Sequence, residues 1–419
     1  MWDPYAEFET ATLPNGLTVH ATNWPGRPWE YVGFLVHVGA KDDPIGLEGL
    51  AHFVEHVVSN NVDITHNSIK DFFDDNGGSV NLGVTSFPCT EFRFFVPISK
   101  NIFAEALSIF GRMLFSAKLE KLIERERQVI IEEFQGHYPF NFKLDLDVKK
   151  HKILYAGHCL ERSVRSLGFP ESIERITQAD LQAHYDEYYT PANISIVGVG
   201  GLPLSDLVEL LNESPLAINK HGSRVALPRP MTKFASLAEN RCVFELSKHM
   251  DLVGLAEIGG YKSTARIPGN IGDQPINLAC DVLNRLLNEE LRERRAWTYD
   301  VHCSRYSFCD LFEFSINCDS FALTAIDEIE KVIEDCIMVA IDRQDLFEQA
   351  KKRVLLNNFM VDLSGKNLCN NALDDLAFHQ RIITLTEWHE KTEKVTMDDI
   401  RDILQYLQPE KRWTLIFKP

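Results

Sequence analysis

The chain contains 419 residues and carries a formal net charge of −18, with 45% hydrophobic and 25% charged residues. This length is too great for one ordinary hydrophobic core and indicates two domains of about 200 residues each. The charge argues against nucleic acid as a partner, because phosphate groups require a basic surface, and it favours basic peptides. No apolar run approaches the roughly 20 residues that span a bilayer, so we expect no membrane partner.

The nine cysteines are odd in number and scattered through mostly apolar sequence. They lack the paired spacing of a zinc ribbon or a redox motif, and free thiols are typical of a reducing compartment. The first residues contain neither a basic segment nor an apolar run of the kind found in targeting signals. We therefore expect a cytoplasmic protein.

In chain order, the first half is predicted to mix strands and helices. Alternating apolar residues and turn residues indicate strands at residues 17–21, 31–39, 79–85, 90–96 and 194–199. Helical periodicity indicates a helix that starts near Gly46 and further helices at 69–75, 102–116, 119–137 and 177–189. Prolines and glycines between residues 212 and 232 interrupt both patterns, which indicates the join between two halves.

The second half closes in the same way as the first. Residues 395–400 resemble residues 176–181, and Thr177 and Thr396 can each cap a helix with an acidic first turn. The two blocks lie 219 residues apart, which is close to half the chain and indicates a tandem duplication. We predict an α+β fold with two homologous domains, 1–220 and 221–419, each a mostly antiparallel sheet packed with helices.

The segment His52-Phe53-Val54-Glu55-His56 reads H-x-x-E-H, the inverted form of a helical zinc-binding motif. On a helix, His52 and His56 share one face and can bind one metal ion, and Glu55 can accept a proton from a metal-activated water. The motif alone is only suggestive, since two surface histidines on an acidic helix would give the same pattern. The second half has no histidine between His249 and His302, so only the first half can form such a site.

A carboxylate ligand is needed to complete such a site with one open position. The next long helix offers Glu124, Glu126, Glu132 and Glu133, and its residues 123–133 resemble the third-ligand helix of the pitrilysin/insulinase family of zinc metallopeptidases. In that family 76 residues separate the motif from the ligand glutamate, which implies Glu133 here. The resemblance also implies that Glu126 orients a ligand histidine. We expect Glu124 and Glu132 to be solvated.

The resemblance extends over nearly the whole chain. The segments similar to the family's opening strand, to the lead into its motif helix and to the turn before its substrate-binding edge strand are 13–17, 49–52 and 77–81. The implied substrate-binding residues, to which a peptide would add as a further strand, are Asn81, Leu82, Gly83 and Val84. Thr85 stands one position later than the family's threonine, which predicts a β-bulge in this strand.

In the second half, residues 291–299 are similar to the family's arginine-and-tyrosine segment. The resemblance implies that Tyr299 reaches the zinc site and stabilises an oxyanion, while Arg292 holds a substrate carbonyl or places Tyr299. Without the resemblance, Tyr299 would be read as a partly buried strand tyrosine and Arg292 as a solvated helix residue. The family's glycine-leucine-alanine is replaced by Arg295-Ala296-Trp297-Thr298, and a tryptophan there would reshape a subsite.

The resemblance implies a zinc-dependent endopeptidase with one Zn²⁺ per chain, held by His52, His56 and Glu133, with Glu55 as general base. Its two halves would enclose a chamber in a clam-shell arrangement that admits short or unfolded peptides. Chains of this length pair in the family, so we expect a homodimer or a heterodimer with a related chain. Two alternatives stay open: a dedicated precursor-peptide processing subunit that works with a partner chain, and a non-catalytic scaffold subunit.

Overall fold

The computed structural model describes residues 2–60, 68–162, 166–245, 259–321, 326–357 and 364–418. The chain divides into two compact units. The first contains Met1–His151, Gly157–Leu227 and Asp362–Leu385, and the second contains Lys152–Ala156, Pro228–Val361 and Thr386–Pro419. Within the described ranges, no helix combines the length and the apolar character needed to cross a bilayer.

The first unit is built on a sheet in which six of the described strands pair in the order β1-β2-β6-β3-β5-β4. The strands are β1 (Glu9–Thr12), β2 (Thr18–Asn23), β3 (Trp29–Val36), β4 (Ser79–Thr85), β5 (Thr90–Pro97) and β6 (Ile194–Gly200). Strands β2 and β6 run parallel, and every other pair in the sheet is antiparallel. Strand β4 lies at one edge of the sheet.

The second unit contains a five-stranded sheet in the order β7-β11-β8-β10-β9. Its strands are β7 (Arg241–Glu245), β8 (Gly259–Pro268), β9 (Thr298–Ser307), β10 (Leu311–Phe321) and β11 (Arg412–Lys418). Here too one pair, β7 and β11, is parallel and the others are antiparallel. This order repeats β2-β6-β3-β5-β4 of the first sheet, so the predicted α+β fold with two homologous, mostly antiparallel sheets is confirmed.

Helices pack against both sheets. Those in the first half are α1 (Leu50–Asn60), α2 (Ile69–Asp75), α3 (Lys100–Phe115), α4 (Ile123–His137), α5 (Asn141–Leu154), α6 (Pro170–Arg175), α7 (Gln178–Tyr188) and α8 (Leu204–Asn212). Those in the second half are α9 (Asp273–Leu287), which continues as a π-helical turn (Asn288–Arg294), α10 (Ile326–Ala340), α11 (Gln344–Asn357), α12 (Gly365–His379), α13 (Leu385–Lys394) and α14 (Met397–Leu404). The predicted caps are confirmed: the hydroxyl groups of Thr177 and Thr396 accept hydrogen bonds from the amides of Asp180 and Asp399.

Helix α12 belongs to the first unit although it comes from the second half of the sequence. Its side chains Leu373 and Leu376 are buried in one cluster with Leu35 of β3 and Val197 of β6. They cover the face of the first sheet opposite the main core, which contains the stacked rings of Phe34 and Phe110. The structure therefore divides the chain differently from the predicted boundary at residues 220 and 221, because burial of this apolar face requires a helix from far along the chain.

Helix α1 starts at Leu50 rather than near Gly46 as predicted. Gly49 has φ +95°, in a region that glycine enters readily and that a helix does not use. The carboxylate of Asp43 accepts hydrogen bonds from the amides of Gly49 at 2.7 Å and Ala51 at 2.8 Å, so it satisfies donors at the start of the helix. Burial raises the pKa of Asp43 to about 7 although both hydrogen bonds lower it. The start of the motif helix is thus fixed by a buried side chain.

We predict that Glu30 makes the first unit less stable as pH rises. Its side chain on β3 is fully buried, accepts a hydrogen bond from the amide of Leu202 at 3.1 Å, and has a pKa raised by burial from 4.5 to about 8. The folded state holds this proton more tightly than the unfolded state. The resulting contribution to the free energy of unfolding is therefore fully present below the unfolded pKa of 4.5 and is lost as pH rises towards 8. Between these two pKa values, the free energy of unfolding falls by at most about 1.4 kcal/mol per pH unit.

Urea unfolding of the wild type and of Glu30→Gln, which cannot ionise, should be compared at pH 5.5 and pH 8. The variant should gain stability relative to the wild type at the higher pH. A difference between the two proteins that does not change with pH would contradict a buried neutral carboxyl group at residue 30.

Candidate metal centre

Helix α1 presents His52 and His56 side by side. Their ring centroids are 4.6 Å apart and the ring planes are inclined by 79°. Burial, and then the neighbouring His56, lowers the pKa of His52 to about 4. His52 is therefore a neutral imidazole at physiological pH, which is the form that binds a metal ion.

Helix α4 brings Glu133 to the same point. Its Oε2 atom lies 3.5 Å from Nε2 of His56 and 3.7 Å from Nε2 of His52. Contact with His56 holds the pKa of Glu133 below its ordinary value, so this side chain is an anion. Both distances exceed the usual hydrogen-bond length, but they match the edge of about 3.4 Å expected between ligands of a tetrahedral zinc ion with bonds of about 2.1 Å.

Glu126 lies behind His56 on the same helix as Glu133. Its carboxylate is buried, and its Oε2 is 3.3 Å from Nδ1 of His56. A carboxylate at Nδ1 places the proton there and leaves Nε2 free to bind a metal, as is usual for ligand histidines. Glu124 and Glu132 are exposed, as we predicted for these two residues. The donor set of two imidazoles and one carboxylate, with a buried carboxylate behind one imidazole, fits zinc.

Glu55 lies beside these three side chains without pairing closely with any of them. Its Oε2 is 3.9 Å from Nε2 of His52 and accepts a hydrogen bond from the hydroxyl group of Thr85 at 3.2 Å. Burial raises the pKa of Glu55 to about 7, whereas His56 and Thr85 lower it. A carboxyl group with such a pKa can both accept and release a proton near neutral pH.

Strand β4 forms one wall of the site and carries the predicted bulge. Its register with β5 shifts between Asn81 and Val84, so the prediction of an irregular strand is confirmed. Gly83 and Val84 face a cleft of about 320 Å³, and Val84 is 47% exposed. The Asn81 side chain instead accepts a hydrogen bond from the amide of Gly83, and Leu82 packs against the core.

Several residues of the cleft were not predicted. The lining consists of His52, Glu55, His56, Gly83, Val84, Thr85, Glu133, His137, Ser166 and Leu167. His137 follows Glu133 by one helical turn, with Nε2 3.9 Å from Oε1 of Glu133, so helical spacing could have found it. Ser166 and Leu167 come from a connection that carries no motif, so the sequence offered no signal for them.

Arg292 and Tyr299 lie in the second unit. The Arg292 guanidinium group stands over the Tyr299 ring, 5.0 Å from its centroid, and Tyr299 is 80% exposed. Ala296, between them, has φ +51°, which is a left-handed conformation. This pair is preformed within its own unit, and its contribution to the site of the first unit stays a prediction.

Comparisons with known proteins identify the family of this chain. The family model Insulinase (Peptidase family M16) matches residues 19–164, and the model Peptidase M16 inactive domain matches residues 175–354. Zinc protease PqqE of Helicobacter pylori is 28% identical over 290 residues, which cover 68% of this chain and 61% of that protein. A solved protease structure from Helicobacter pylori superposes with a TM-score of 0.80 at 19% identity and covers 100% of both chains.

A third relative is the probable mitochondrial-processing peptidase subunit beta of Arabidopsis thaliana, which is 27% identical over 205 residues. The match covers 48% of this chain and 38% of that protein, so the chain spans less than half the length of this relative. Only the range matched by the first of these two family models contains the H-x-x-E-H helix. The chain belongs to the insulinase family of peptidases.

Proposed function

We propose that this chain is a zinc-dependent endopeptidase that cleaves short or unfolded peptides. The observation that carries the proposal is that Oε2 of Glu133 lies 3.7 Å from Nε2 of His52 and 3.5 Å from Nε2 of His56. When bound to these three atoms, zinc supplies the Lewis acid that activates water and polarises a peptide carbonyl. One zinc ion per chain is expected, because α9, which occupies the place of α1 in the second unit, contains no histidine.

Glu55 is the general base in this proposal. Its carboxylate takes one proton from the attacking water while the hydroxide oxygen bonds to the carbonyl carbon of the substrate. The same proton then passes to the leaving nitrogen as the peptide bond breaks, which restores the carboxylate. Burial, which raises the pKa of Glu55, strengthens its hold on a proton and so suits a group that takes up a proton and then passes it on.

The remaining site residues orient the reaction. Glu126 fixes the tautomer of His56 through Nδ1. Tyr299 would donate a hydrogen bond to the oxyanion, and Arg292, stacked on its ring, would hold the phenol in place or bind a substrate carbonyl. The substrate would add as a strand to the edge of β4 at residues 81–84, where backbone groups bind peptides with little regard to sequence.

The net charge of −18 favours basic peptides as substrates.

A dedicated precursor-processing subunit is the second candidate function, and the relative named as a mitochondrial-processing peptidase subunit beta supports it. A non-catalytic scaffold is disfavoured, since all of the predicted ligands and the base converge. We also propose a reducing, cytoplasmic environment, which the odd number and the scattered positions of the nine cysteines in the sequence support.

Replacing Glu55 with Gln should abolish peptide cleavage and leave zinc bound. The amide cannot accept the proton of the water, and loss of a general base lowers rates by about 10²–10⁴-fold. Cleavage of a quenched-peptide panel and zinc content by mass spectrometry would be measured on wild type and Glu55→Gln, with the exposed Glu132→Gln as matched control. Full activity of the Glu55 variant would refute its role.

Replacing Glu133 with Gln should release zinc. Removing one anionic ligand weakens the site strongly, whereas Glu124→Gln on the exposed side of α4 should retain one ion per chain. Dialysed proteins would be assayed for zinc, and a chelator should remove both metal and activity from the wild type until zinc is restored. A Glu133 variant that keeps stoichiometric zinc would show that another group completes the site.

Light scattering of the purified chain should give twice the chain mass of 47.8 kDa if the enzyme is a homodimer. A chain that stays at the single mass and cleaves nothing alone would favour a heterodimer with a related chain.

A further inference from the structure

Strand β4 is tied to the helical turn that bears Glu55 by three separate contacts. The hydroxyl group of Ser59, one turn after Glu55 on α1, donates to the carbonyl oxygen of Leu82 and lies 2.7 Å from the carbonyl oxygen of Glu55. Gly83 lies directly against the Glu55 carboxylate. Thr85 donates its hydroxyl proton to the same carboxylate at 3.2 Å. The bulge therefore contacts α1 at the base itself.

The hydrogen-bond donor of Thr85 can be assigned by counting protons. Its Oγ1 lies 3.2 Å from Oε2 of Glu55 and 3.3 Å from Oγ1 of Thr90. Thr90 uses its own single proton for the carbonyl oxygen of Val38, at 3.0 Å. Thr85 thus has one proton and two acceptors, and the carboxylate is the stronger of the two. Thr90 also limits how far the Thr85 side chain can turn away from Glu55.

Gly83 provides the space that the carboxylate occupies. A Cβ atom at this position would stand 2.0 Å from Oε1 and 2.4 Å from Cδ of Glu55. The amide of Gly83 donates to the side chain of Asn81 at 3.1 Å, which holds the bulged backbone in this position. Oε1 of Glu55 therefore packs against the Cα atom of Gly83, and Oε2 accepts a hydrogen bond from the hydroxyl group of Thr85.

We propose that Thr85 and Gly83 are positioning residues that fix the orientation of Glu55. Thr85 holds Oε2, the oxygen that lies nearest His52, and Gly83 leaves room for Oε1 so that the carboxylate does not rotate. This inference rests on the proposed role of Glu55 as general base. It gives the bulge a function: the extra residue brings both contacts to the carboxylate, while the flanking edge of β4 stays available to a peptide.

The first test compares Thr85→Val, which keeps the shape but removes the hydroxyl group, with Thr85→Ser, which keeps the hydroxyl group. Thr85→Val should lower kcat by about 10- to 100-fold, the effect of misplacing a catalytic group by a fraction of an ångström to an ångström. KM and zinc content should stay unchanged. The kcat of Thr85→Ser should remain within about 3-fold of the wild-type value, because this variant keeps the hydrogen bond to Glu55.

The matched control is Thr22→Val. Thr22 is a buried threonine of the same sheet, on β2, with three strands between β2 and β4, and its hydroxyl group has no partner within the described ranges. This variant should keep wild-type kcat. Equal losses in Thr85→Val and Thr85→Ser, or full kcat in Thr85→Val, would overturn the inference.

Gly83→Ala supplies a second test, because its added methyl group must displace the Glu55 carboxylate. The variant should lose kcat, bind one zinc ion, and bind a non-cleaved peptide as Glu55→Gln does. A Gly83→Ala enzyme with wild-type kcat would refute the packing argument. If the wild type cleaves no peptide even when it is paired with a related chain, the proposed function fails, whereas an active wild type with an unaffected Thr85→Val contradicts this inference alone.

Discussion

Helix α1 buries Phe53, Val54 and Val57 in the core of the first unit, and this packing fixes the rotation of the helix. The opposite side then has to carry His52, Glu55 and His56 into a site where His52 and Glu55 are almost completely buried. Removing ionisable groups from water costs several kcal/mol each unless a partner compensates. The raised pKa of Glu55 and the lowered pKa of His52 both result from that burial. The packing of α1 thus keeps His52 and Glu55 in a buried site, although both side chains would be better solvated at the surface.

Arg127 fixes the rotation of helix α4 in a similar way. Its guanidinium group stands over the Phe53 ring, 5.2 Å from the centroid, and donates hydrogen bonds to the carbonyl oxygens of Ile173 and Ile176. The rotation of α4 is therefore fixed relative to α1, and Glu126 and Glu133 meet the two histidines from one direction. Helix α1, held by its apolar contacts, and helix α4, held by Arg127, together produce the metal-binding geometry.

The sequence contained the local part of this arrangement. Helical spacing placed His52 and His56 on one face, and the bounds of α2 followed from residue patterns. The bulge in β4 followed from the family resemblance. Glu133, by contrast, was selected from four glutamates only through the family resemblance, since its distance from the motif is set by tertiary packing. Helix α5 was missed because Leu144, Leu146 and Val148 alternate in the manner of a strand. Helix α12 has a clear helical pattern, but no local signal indicates which sheet it covers.

The crossover of α12 has a consequence for how the protein is made. The part of the first sheet that Leu373 and Leu376 cover stays exposed until residues 365–379 have been synthesised. Domains usually fold as units in the order in which they leave the ribosome. The packing of the N-terminal sheet therefore stays incomplete while most of the second unit is synthesised. A nascent or truncated first half would expose an apolar surface to which chaperones and other copies of the chain can bind.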